Sequence, residues 1–428
     1  MAAYTEYLTA LDKPFRKLAR LEFLQPDGTV AFALGNDAKA AGTRDTRAFI
    51  QGGAVSVSLN NGRRRSAEIT LANADDAFSF AVNKLWYGRM VRLSMGMILP
   101  SGEPFLLPQG VFYLLNPAAK ISPSDKTVTY SLSDKWAALD GTLYGTLDAT
   151  YQIQPGMNIF GVIRTILHLS RYDYEATVDP VKQFDPVYPV FTTFYNNITY
   201  PASHTDSKFS GTYHATDTPY QIAEGGGSTF ARIILDLNEC LAGLIGYDAT
   251  GALRLDPSSQ DVDDADKPVL FTFDMRNPQL CSISESSPVS EVYNDVIVAG
   301  QGASDREIWG RAVNDDPRSD TNRSLIGRRL YYTTGAGYFS SDQCSALAEW
   351  ELKHRAILNK SVTLTAQQMF HLQENNLISV RRTDKPGSPV ERHLIHSFTV
   401  PIAETGTMSV QATSVADIPD FTVTKYPS

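Results

Sequence analysis

The sequence predicts a mainly β protein with some α-helix, an α+β fold of several domains. In most segments apolar and polar residues alternate with a period of two, which gives a strand one buried face. Turns that contain glycine separate many of these segments. Aromatic residues make up 10% of the chain, with 20 Tyr and 20 Phe, and such residues favour strands. Only three segments have the clear 3.6-residue periodicity of an amphipathic helix.

The N-terminal third predicts a series of hairpins. Residues 1–16 are a polar arm, 16–34 predict a hairpin that turns at Asp27-Gly28, and 35–53 predict a loop rich in Gly and Ala. The most regular hairpin spans 54–73, where apolar residues alternate with polar ones on both sides of Asn61-Gly62. This pair supplies the positive φ of a type I′ turn, whose twist matches that of the flanking strands.

The rest of this unit predicts more antiparallel strands. A short helical link is expected over 74–84, followed by strands at about 89–98, 104–115 and 126–133. The stretch DKWAALDG (134–141) closes the unit.

The middle of the chain predicts two amphipathic helices and a hairpin. The helices lie over 157–170 and 229–244, each with one apolar face. The hairpin over 245–257 turns at residues 249–251. Between the helices lies the aromatic loop 180–215, a polar stretch that carries Phe184, Tyr188, Phe191, Phe194, Tyr195, Tyr200, Phe209 and Tyr213. A loop of this length in a compact domain is usually functional.

Two interpretations of the aromatic loop remain open. Aromatic rings stack on the apolar faces of sugars, so the loop could be a carbohydrate platform. Burial against a neighbouring subunit is favoured, because the flanking residues are Pro and Thr rather than convergent Asp and Asn. The glycosylation pattern at Asn197-Ile198-Thr199 carries no meaning without a secretion signal.

The C-terminal part predicts strands again. The acidic stretch 261–267 is the expected linker, and strands follow at 269–275 and 291–300, before a polar, turn-rich stretch at 306–329. A helix is predicted over 342–358 with Asp342 as its N-cap. The last strands are SVTLTAQ, NLISVRR, ERHLIHSFTV and TMSVQATS. The two β-units share one pattern, several hairpins coupled to one helix, which suggests distant copies.

Length and charge limit the possible functions. The 428 residues allow two to four domains with separate cores. The formal net charge of −9 argues against a protein that grips duplex DNA, because such binding needs Lys and Arg against phosphates. The N-terminus lacks the apolar region of a signal peptide, and no run approaches ~18 apolar residues. We therefore expect synthesis in a cytosol-like compartment.

The residue types that bind metals show no suitable spacing. The cysteines Cys240, Cys281 and Cys344 are far apart and odd in number, so buried thiols are expected. His393 and His396 lie three apart on a predicted strand, which directs their rings to opposite faces. His371 lies nearby in sequence, and His354 belongs to a helix stripe where a packing role is expected. Asp261, Asp263, Asp264 and Asp266 lack the glycine and glutamate of a calcium loop and are expected in a solvated linker.

No catalytic, cofactor-binding or metal-binding residue is predicted. The nucleophile elbow and the P-loop are absent, and GGGST (225–229) is expected to be a hinge before a helix. Arg63, Arg64 and Arg65 are expected at an exposed hairpin tip that protects an edge or pairs with an acidic neighbour. With 47 Asp plus Glu, spacing alone nominates no pair of catalytic carboxylates.

Four stretches, taken in order, resemble the baseplate-hub proteins at the tail tip of long-tailed phages, the family that also forms the N-terminal part of many tail-associated proteins. They are NNGRRRSAEITLAN with LWYGRMVRLSMG, then TFARIILDLNECLAGLIGYDATGALRLDP, then SEVYNDVIVAGQG with WGRAVNDDPRSD, and ALAEWELKHRAILNKSVTLTA followed by NLISVRR. Together they extend from about 54 to 414. The aromatic loop has no counterpart in the family.

The resemblance implies two tail-tube-like antiparallel β-barrel domains, at 1–148 and 263–428, around an α+β middle domain at 149–262. It also implies a structural, non-enzymatic homotrimer in the virion, which adapts the six-fold tail tube to a three-fold tip and lets DNA pass. Its partners would be a distal tail or tube protein above, the tape-measure protein, and tip or fibre proteins below. Two alternatives stay open, a receptor- or carbohydrate-binding tail protein and a cell-wall hydrolase.

Overall fold

The structure is a computed structural model that describes most of the chain. The described residues are 2–41, 50–73, 78, 89–122, 126–170, 178–180, 198–200, 211–213, 217–218, 221–241, 243–257, 268–277, 279–286, 289–301, 307–335, 338, 341–356, 361–402, 406–415 and 422–426. Among these residues, no helix has both the length and the apolar character needed to cross a membrane.

Strands dominate the described chain, and helices are few and mostly short. The strands are β1 (Lys17–Leu24), β2 (Val30–Gly35), β3 (Ile50–Ser58), β4 (Arg65–Ala72), β5 (Met90–Ile98), β6 (Pro104–Ile121), β7 (Lys126–Asp134), β8 (Tyr151–Ile153), β9 (Val178–Pro180), β10 (Ile198–Tyr200), β11 (Gly211–Tyr213), β12 (Ile222–Glu224), β13 (Gly243–Tyr247), β14 (Leu253–Pro257), β15 (Val269–Asp274), β16 (Leu280–Ser286), β17 (Asp295–Gln301), β18 (Glu307–Val313), β19 (Leu330–Gly335), β20 (Ser361–Ala366), β21 (Leu377–Arg381), β22 (Val390–Pro401), β23 (Met408–Ser414) and β24 (Thr422–Tyr426). The helices are α1 (Ala2–Ala10), α2 (Ala38–Ala41), α3 (Ile159–Ser170), α4 (Phe230–Leu241), α5 (Arg323–Ile326) and α6 (Ser341–Arg355). The prediction of a mainly β fold with some α-helix is confirmed.

Thirteen strands form one large sheet that joins the two ends of the chain. Its order is β16-β20-β23-β22-β3-β4-β7-β6-β5-β1-β2, with β15 and β21 attached beside β22. Neighbours run antiparallel except for β15 and β21. The central pairing is β22 with β3, where Val400 lies opposite Val55. Strands of both predicted β-units therefore lie in the same sheet, while the boundaries at 148 and 262 stay a prediction.

Alternation along the strands builds the core of the large sheet. In β4, Ala67, Ile69 and Leu71 are buried while the residues between them are more exposed. They share one hydrophobic core with Leu364 and Phe398 from the C-terminal part. Since burial of each Leu, Ile or Phe side chain contributes about 1.5–3 kcal/mol, this core ties the two ends of the chain together.

The N-terminal arm is a helix and not a polar extension. Helix α1 and the turn that follows it place Tyr7 and Leu11, both fully buried, in the core of the large sheet. The Tyr7 hydroxyl accepts a hydrogen bond from the backbone N–H of Phe370 (3.0 Å). The prediction of a polar arm over 1–16 was wrong because the tertiary contact with residues 370–371 is not visible in the local pattern.

The middle unit has its own core of two helices and short strands. Helix α3 contributes Ile159, Ile163 and Ile166, and α4 contributes Ile233 and Leu237. Strands β13 and β14 form the predicted hairpin, and β9 adds to β14 in parallel. Both amphipathic helices and the 245–257 hairpin are confirmed, with the helices starting one or two residues later than predicted.

The aromatic loop lies mostly outside the described residues. Within it only the strands β10 and β11, which pair antiparallel, and the end of β9 are described. Tyr200 and Tyr213 end these two strands, and the other six aromatic residues of the loop fall outside the described ranges. The choice between a carbohydrate platform and a subunit contact therefore stays open.

A third unit forms a four-stranded sheet covered on one side by α6. The sheet order is β19-β17-β18-β24. A Cβ at Gly310 would lie 2.1 Å from the backbone nitrogen of Ser345, so only glycine permits this close approach of β18 and α6. The predicted turn-rich stretch 306–329 thus begins with a strand. Helix α6 begins at Ser341, which places Asp342 inside the first turn and not at the N-cap.

The hairpin over 54–73 forms, but its turn differs from the prediction. The pair of β3 and β4 that lies nearest the turn is Val57 opposite Arg65. Residues 59–64 therefore form a connection longer than a two-residue turn. Of the two predicted turn residues only Gly62 has a positive φ, at 94°. A type I′ turn needs positive φ at both, so that prediction was wrong.

Candidate functional site

The three predicted tip arginines occupy very different environments. Arg63 is exposed and donates to the Oδ2 of Asp140 (2.7 Å) and to the Oγ1 of Thr142 (2.8 Å). Arg64 and Arg65 are only 2% and 1% exposed. The prediction of an exposed charged tip was therefore wrong for two of the three residues.

Arg65 forms a buried ion pair with the C-terminal part of the chain. Its guanidinium donates to the carboxylate of Glu374, to Oε1 of Gln373 (2.6 Å) and to the backbone carbonyl of Gln109 (3.1 Å). Burying a charge is costly unless it is paired and hydrogen-bonded, and these three partners pair with Nη1 and Nη2, while Nε makes no hydrogen bond to a described residue. Sequence analysis missed Gln109, Gln373 and Glu374, which carry no motif.

A buried carboxylate fixes the backbone beside this ion pair. Oδ2 of Asp134 accepts the N–H groups of Arg64 and Arg65, each at 2.9 Å, and Oδ1 accepts the N–H of Trp136 (3.2 Å). Burial raises the pKa of the Asp134 carboxyl to about 6, although the three N–H groups and the charge of Arg63 lower it. The start of β4 and the end of β7 are thereby held together.

The connection between β3 and β4, residues 59–64, also anchors the middle unit. Oδ1 of Asn61 accepts the N–H of Ile245 (2.8 Å), and the N–H of Gly62 donates to the carbonyl of Ile245 (2.8 Å). Directly after β7, Nζ of the buried Lys135 donates to the carbonyl of Gly251 (2.8 Å). We call residues 59–65, 134–136 and 373–374 the central joint, because they connect the large sheet with the middle unit and with the C-terminal part.

The histidines lie in different surroundings, with aromatic rings around His371 and charged groups near His393. Nδ1 of His371 and the hydroxyl of Tyr7 share a hydrogen bond (3.0 Å), and burial lowers the pKa of His371 to about 4. Burial also lowers the pKa of His393 to about 4, although Glu391 and Glu285 oppose this, and lowers that of His396. A β-bulge interrupts β22 between Ile395 and Ser397, at His396. The side chain of His354 in α6 lies outside the described residues.

The remaining predicted positions show structural roles where they are described. Cys240 and Cys344 are buried free thiols, and burial raises the pKa of Cys344 to about 12. Residues 225–229 form a turn before α4, in which Gly227 has a φ of 86° and its N–H donates to the carbonyl of Leu147 (2.8 Å). The four aspartates of 261–266 and the side chain of Cys281 fall outside the described ranges. Within those ranges, no group of three or more His, Cys, Asp or Glu could hold a metal ion.

The four-stranded sheet turns its second face away from α6. Residues that lie opposite each other on neighbouring strands share one face. The two cross-strand rows Ala299–Trp309–Tyr426 and Tyr332–Ile297–Arg311, of three residues each, therefore belong to the face opposite Gly310. We define the outer face by Ile297, Trp309, Arg311, Leu330, Tyr332 and Tyr426. The rings of Trp309 and Tyr426 stack with centroids 5.6 Å apart.

A connection between β18 and β19 borders the outer face. It covers residues 314–329, contains α5, and carries Leu325 and Ile326 at an exposed position. Arg311 and Arg328 approach the buried carboxylate of Asp295 at 2.5 Å, and these contacts lower the pKa of Asp295. This ion pair fixes the base of the connection to β17.

Comparison by sequence finds no relative of this chain, whereas comparison by structure finds proteins with the same fold. No protein-family model matches the chain, and no curated protein sequence matches it. Two solved structures share its fold. The 43 kDa tail protein of prophage MuSo2 from Shewanella oneidensis has 12% sequence identity and a TM-score of 0.54, over 92% of this chain and 98% of that chain. The tail protein from Neisseria meningitidis MC58 has 9% identity and a TM-score of 0.57, over 94% and 97%.

Proposed function

We propose that this chain is a structural protein of a phage tail, the hub at the tail tip. The observation that carries the proposal is the similarity of fold to two tail proteins over nearly the whole length of all three chains. At 12% and 9% identity this similarity establishes the fold. The function is our inference from it, together with the hub-like order of the four sequence stretches.

The proposed assembly is a homotrimeric ring in the virion. Each subunit would contribute two β-units, so that three chains match the six-fold tail tube on one side and a three-fold tip on the other. A heterologous contact repeated around a three-fold axis closes such a ring. The expected neighbours are a distal tail or tube protein above, the tape-measure protein, and tip or fibre proteins below.

The proposed role toward DNA is passage without binding. A net charge of −9 favours a lumen that repels phosphates, although salt screens this repulsion beyond ~10 Å. A channel lined with Lys and Arg would instead hold the duplex by counterion release. Synthesis in the host cytoplasm and the absence of catalytic activity belong to the same proposal.

The central joint supports a mechanical role for the chain. It lies where the large sheet, the middle unit and the C-terminal part meet, and Arg65, Asp134 and Lys135 are buried there with hydrogen bonds to groups that are remote in sequence. A subunit that transmits load between tube and tip needs its parts held in one arrangement. The joint supplies such rigidity through directional contacts that a purely apolar interface lacks.

Electron microscopy of the assembled tail tests the proposal. We expect three copies in one ring around the tail axis, with acidic and polar residues lining the lumen. Six copies would indicate a tube or distal-tail protein, and copies away from the axis would indicate receptor binding. For the purified chain, we expect no loss of turbidity when it is added to host cell walls. Clearing that one carboxylate substitution abolishes would replace the proposal with a hydrolase.

A further inference from the structure

Exposed apolar side chains concentrate in the unit built from β17, β18, β19, β24 and α6. Among the described residues, twelve large apolar side chains are exposed, and six of them lie in residues 325–332 and 423–426. These two short segments therefore carry half of the exposed large apolar groups. Scattered exposed apolar residues are ordinary, but such a concentration marks an interaction site.

The outer face has the composition of a protein interface. It combines Trp309, Tyr332 and Tyr426 with Arg311, and aromatic residues and arginine are the types enriched at interfaces and at their hot spots. Tyr332 and Tyr426 are each about half exposed, at 52% and 53%. Tyr332 lies on edge strand β19 and Tyr426 on edge strand β24, so the aromatic rings occupy both margins of the sheet.

The bordering connection presents its apolar residues on a fixed backbone. Nδ2 of the buried Asn294 donates to the carbonyls of Thr321 (3.1 Å) and Gly327 (2.8 Å). Nδ2 of Asn314 donates to the hydroxyls of Ser319 and Thr321, each at 2.9 Å. Leu325, 69% exposed, is thus held in place before any partner arrives, which lowers the entropic cost of binding.

The charges of this region balance, although those of the chain do not. Residues 307–332 contain five arginines, matched by four carboxylates there and by Asp295. Arg318 pairs with Asp316 (3.0 Å) and Arg323 with Asp315 (3.3 Å). Two copies of a chain with net charge −9 repel each other over most of their surfaces. A neutral, aromatic face is where a second copy can approach with the smallest electrostatic cost.

We propose that the outer face, together with the connection 314–329, docks onto a different surface of a second copy of this chain. The inference rests on the proposed function, because it assigns the subunit contact of the proposed ring. Four strands about 4.8 Å apart and five residue pairs long give a face of about 300 Å². This is less than the ~800 Å² that each partner buries in a standard interface. A single contact is therefore weak, and stable assembly depends on ring closure, in which every subunit is held twice.

The test compares two double variants of the full chain. Leu325→Asp with Tyr332→Asp places two carboxylates on the proposed contact. The control, Met157→Asp with Val390→Asp, adds the same charge at side chains that are 46% and 49% exposed but lie elsewhere. Sedimentation velocity over a concentration series measures self-association, and thermal melts confirm that both variants fold.

We expect the wild type and the control to assemble alike, while the outer-face variant dissociates at a concentration at least about tenfold higher. A photo-crosslinking residue at position 332 should give intermolecular products when only the purified chain is present. In these products, position 332 of one copy should be linked to a residue outside the outer face of the second copy. Equal loss of assembly in both double variants would mean that added charge alone is responsible and would overturn the inference.

The remaining outcomes separate this inference from the proposed function. If the outer-face variant assembles as the wild type does, the inference is wrong and the proposed ring stands on another contact. If the wild type forms a ring of a different size that the variant cannot form, the contact is right and the three-fold ring is wrong. If the wild type stays monomeric up to about 100 μM, where a weak contact still forms, the assigned contact is wrong, and microscopy of the tail decides the function separately.

Discussion

The guanidinium of Arg65 and the carboxylate of Glu374 form an ion pair in the protein interior, although 309 positions separate them in the sequence. Both side chains are almost completely buried, at 1% and 5% exposure. The pair joins the start of β4 to the segment that precedes β21, on opposite sides of the pairing between β3 and β22. It is therefore a long-range contact that connects the N-terminal and C-terminal strands of the large sheet.

Removing one partner of this pair should destabilise the protein strongly. Arg65→Met leaves the carboxylate of Glu374 buried with only the more distant guanidinium of Arg64 (3.9 Å), and breaking such a buried pair typically costs about 3–5 kcal/mol. Urea denaturation, followed by circular dichroism, measures the change in the free energy of unfolding.

A double-mutant cycle provides the control for this prediction. Arg65→Met combined with Glu374→Gln should cost less than the sum of the two single changes, because the carboxylate that loses the guanidinium of Arg65 is then removed as well. Additive costs would show that the two groups do not interact, and the assignment of the joint would fail.

The structure also predicts unequal costs at two glycines with nearly the same backbone. Gly62 and Gly102 have φ values of 94° and 87°. A Cβ at Gly62 would lie 3.0 Å from the ring of Trp136, whereas none of the surrounding atoms lies within 4 Å of a Cβ at Gly102. Gly102→Ala should therefore cost about 1 kcal/mol from backbone strain alone. Gly62→Ala should cost about 1–2 kcal/mol more, because Trp136 must move.

Thermal melts of the two alanine variants check this difference, and the emission spectrum, to which Trp136 contributes as one of four tryptophans, reports a change around its ring. A shifted emission spectrum is expected for Gly62→Ala and none for Gly102→Ala. Equal melting temperatures would mean that the ring yields freely and that position 62 needs only the positive φ.

Much of the fold could be predicted because the signals are local. The apolar stripe of α4 and the hairpin of β13 and β14 follow from spacing and from a turn with glycine at position 251. Strand β18 was missed because the residues after it, such as Asp315, Asp316 and Pro317, are typical of a turn. They outweigh the alternation of apolar and polar residues within β18 itself, which is only seven residues long.

The central joint could be predicted only in part. Arg65 stands two residues before Ala67, and the same alternation continues through Ile69, so a period of two already placed Arg65 on the buried face. The charge of an arginine predicts exposure instead, and at this position the periodicity was the correct signal. Glu374 offered no comparable signal, because its burial depends on a tertiary partner that is remote in sequence.

The thiols should be unreactive in the folded protein. Cys344 is fully buried and its pKa is raised to about 12, which leaves roughly a thousandfold less thiolate than an ordinary cysteine at pH 8. Cys240 is 5% exposed. With a disulfide reagent at pH 8, we expect at most one thiol to react rapidly, and all three after unfolding in guanidinium. The variant Cys281→Ser should remove any rapid phase, and rapid reaction of two thiols in that variant would contradict the burial.

Buried histidines should make the protein sensitive to mild acid, and His393 allows a specific test. Neither ring nitrogen of His393 makes a hydrogen bond, and burial is the cause that lowers its pKa to about 4. The groups facing it are Glu391, Glu285, Arg382 and Lys385, the nearest being Oε2 of Glu391 at 3.9 Å. In the unfolded chain the histidine pKa is near 6.5. Between pH 4 and pH 6.5, position 393 is therefore protonated in the unfolded chain and neutral in the folded chain.

The sign of the effect follows from this difference. The contribution of His393 to stability is fully present above pH 6.5 and is lost as the pH falls from 6.5 toward 4. At pH 5 the loss in the free energy of unfolding is about 2 kcal/mol. His393→Leu should leave the free energy of unfolding at pH 7.5 within about 1 kcal/mol of the wild type, since no hydrogen bond is removed. Between pH 7.5 and pH 5 the free energy of unfolding should fall by about 2 kcal/mol less in the variant than in the wild type. Both proteins retain the acid response of His371, so it cancels in this comparison. Urea denaturation of both proteins at the two pH values measures this difference, and parallel losses would show that His393 is not held neutral in the fold.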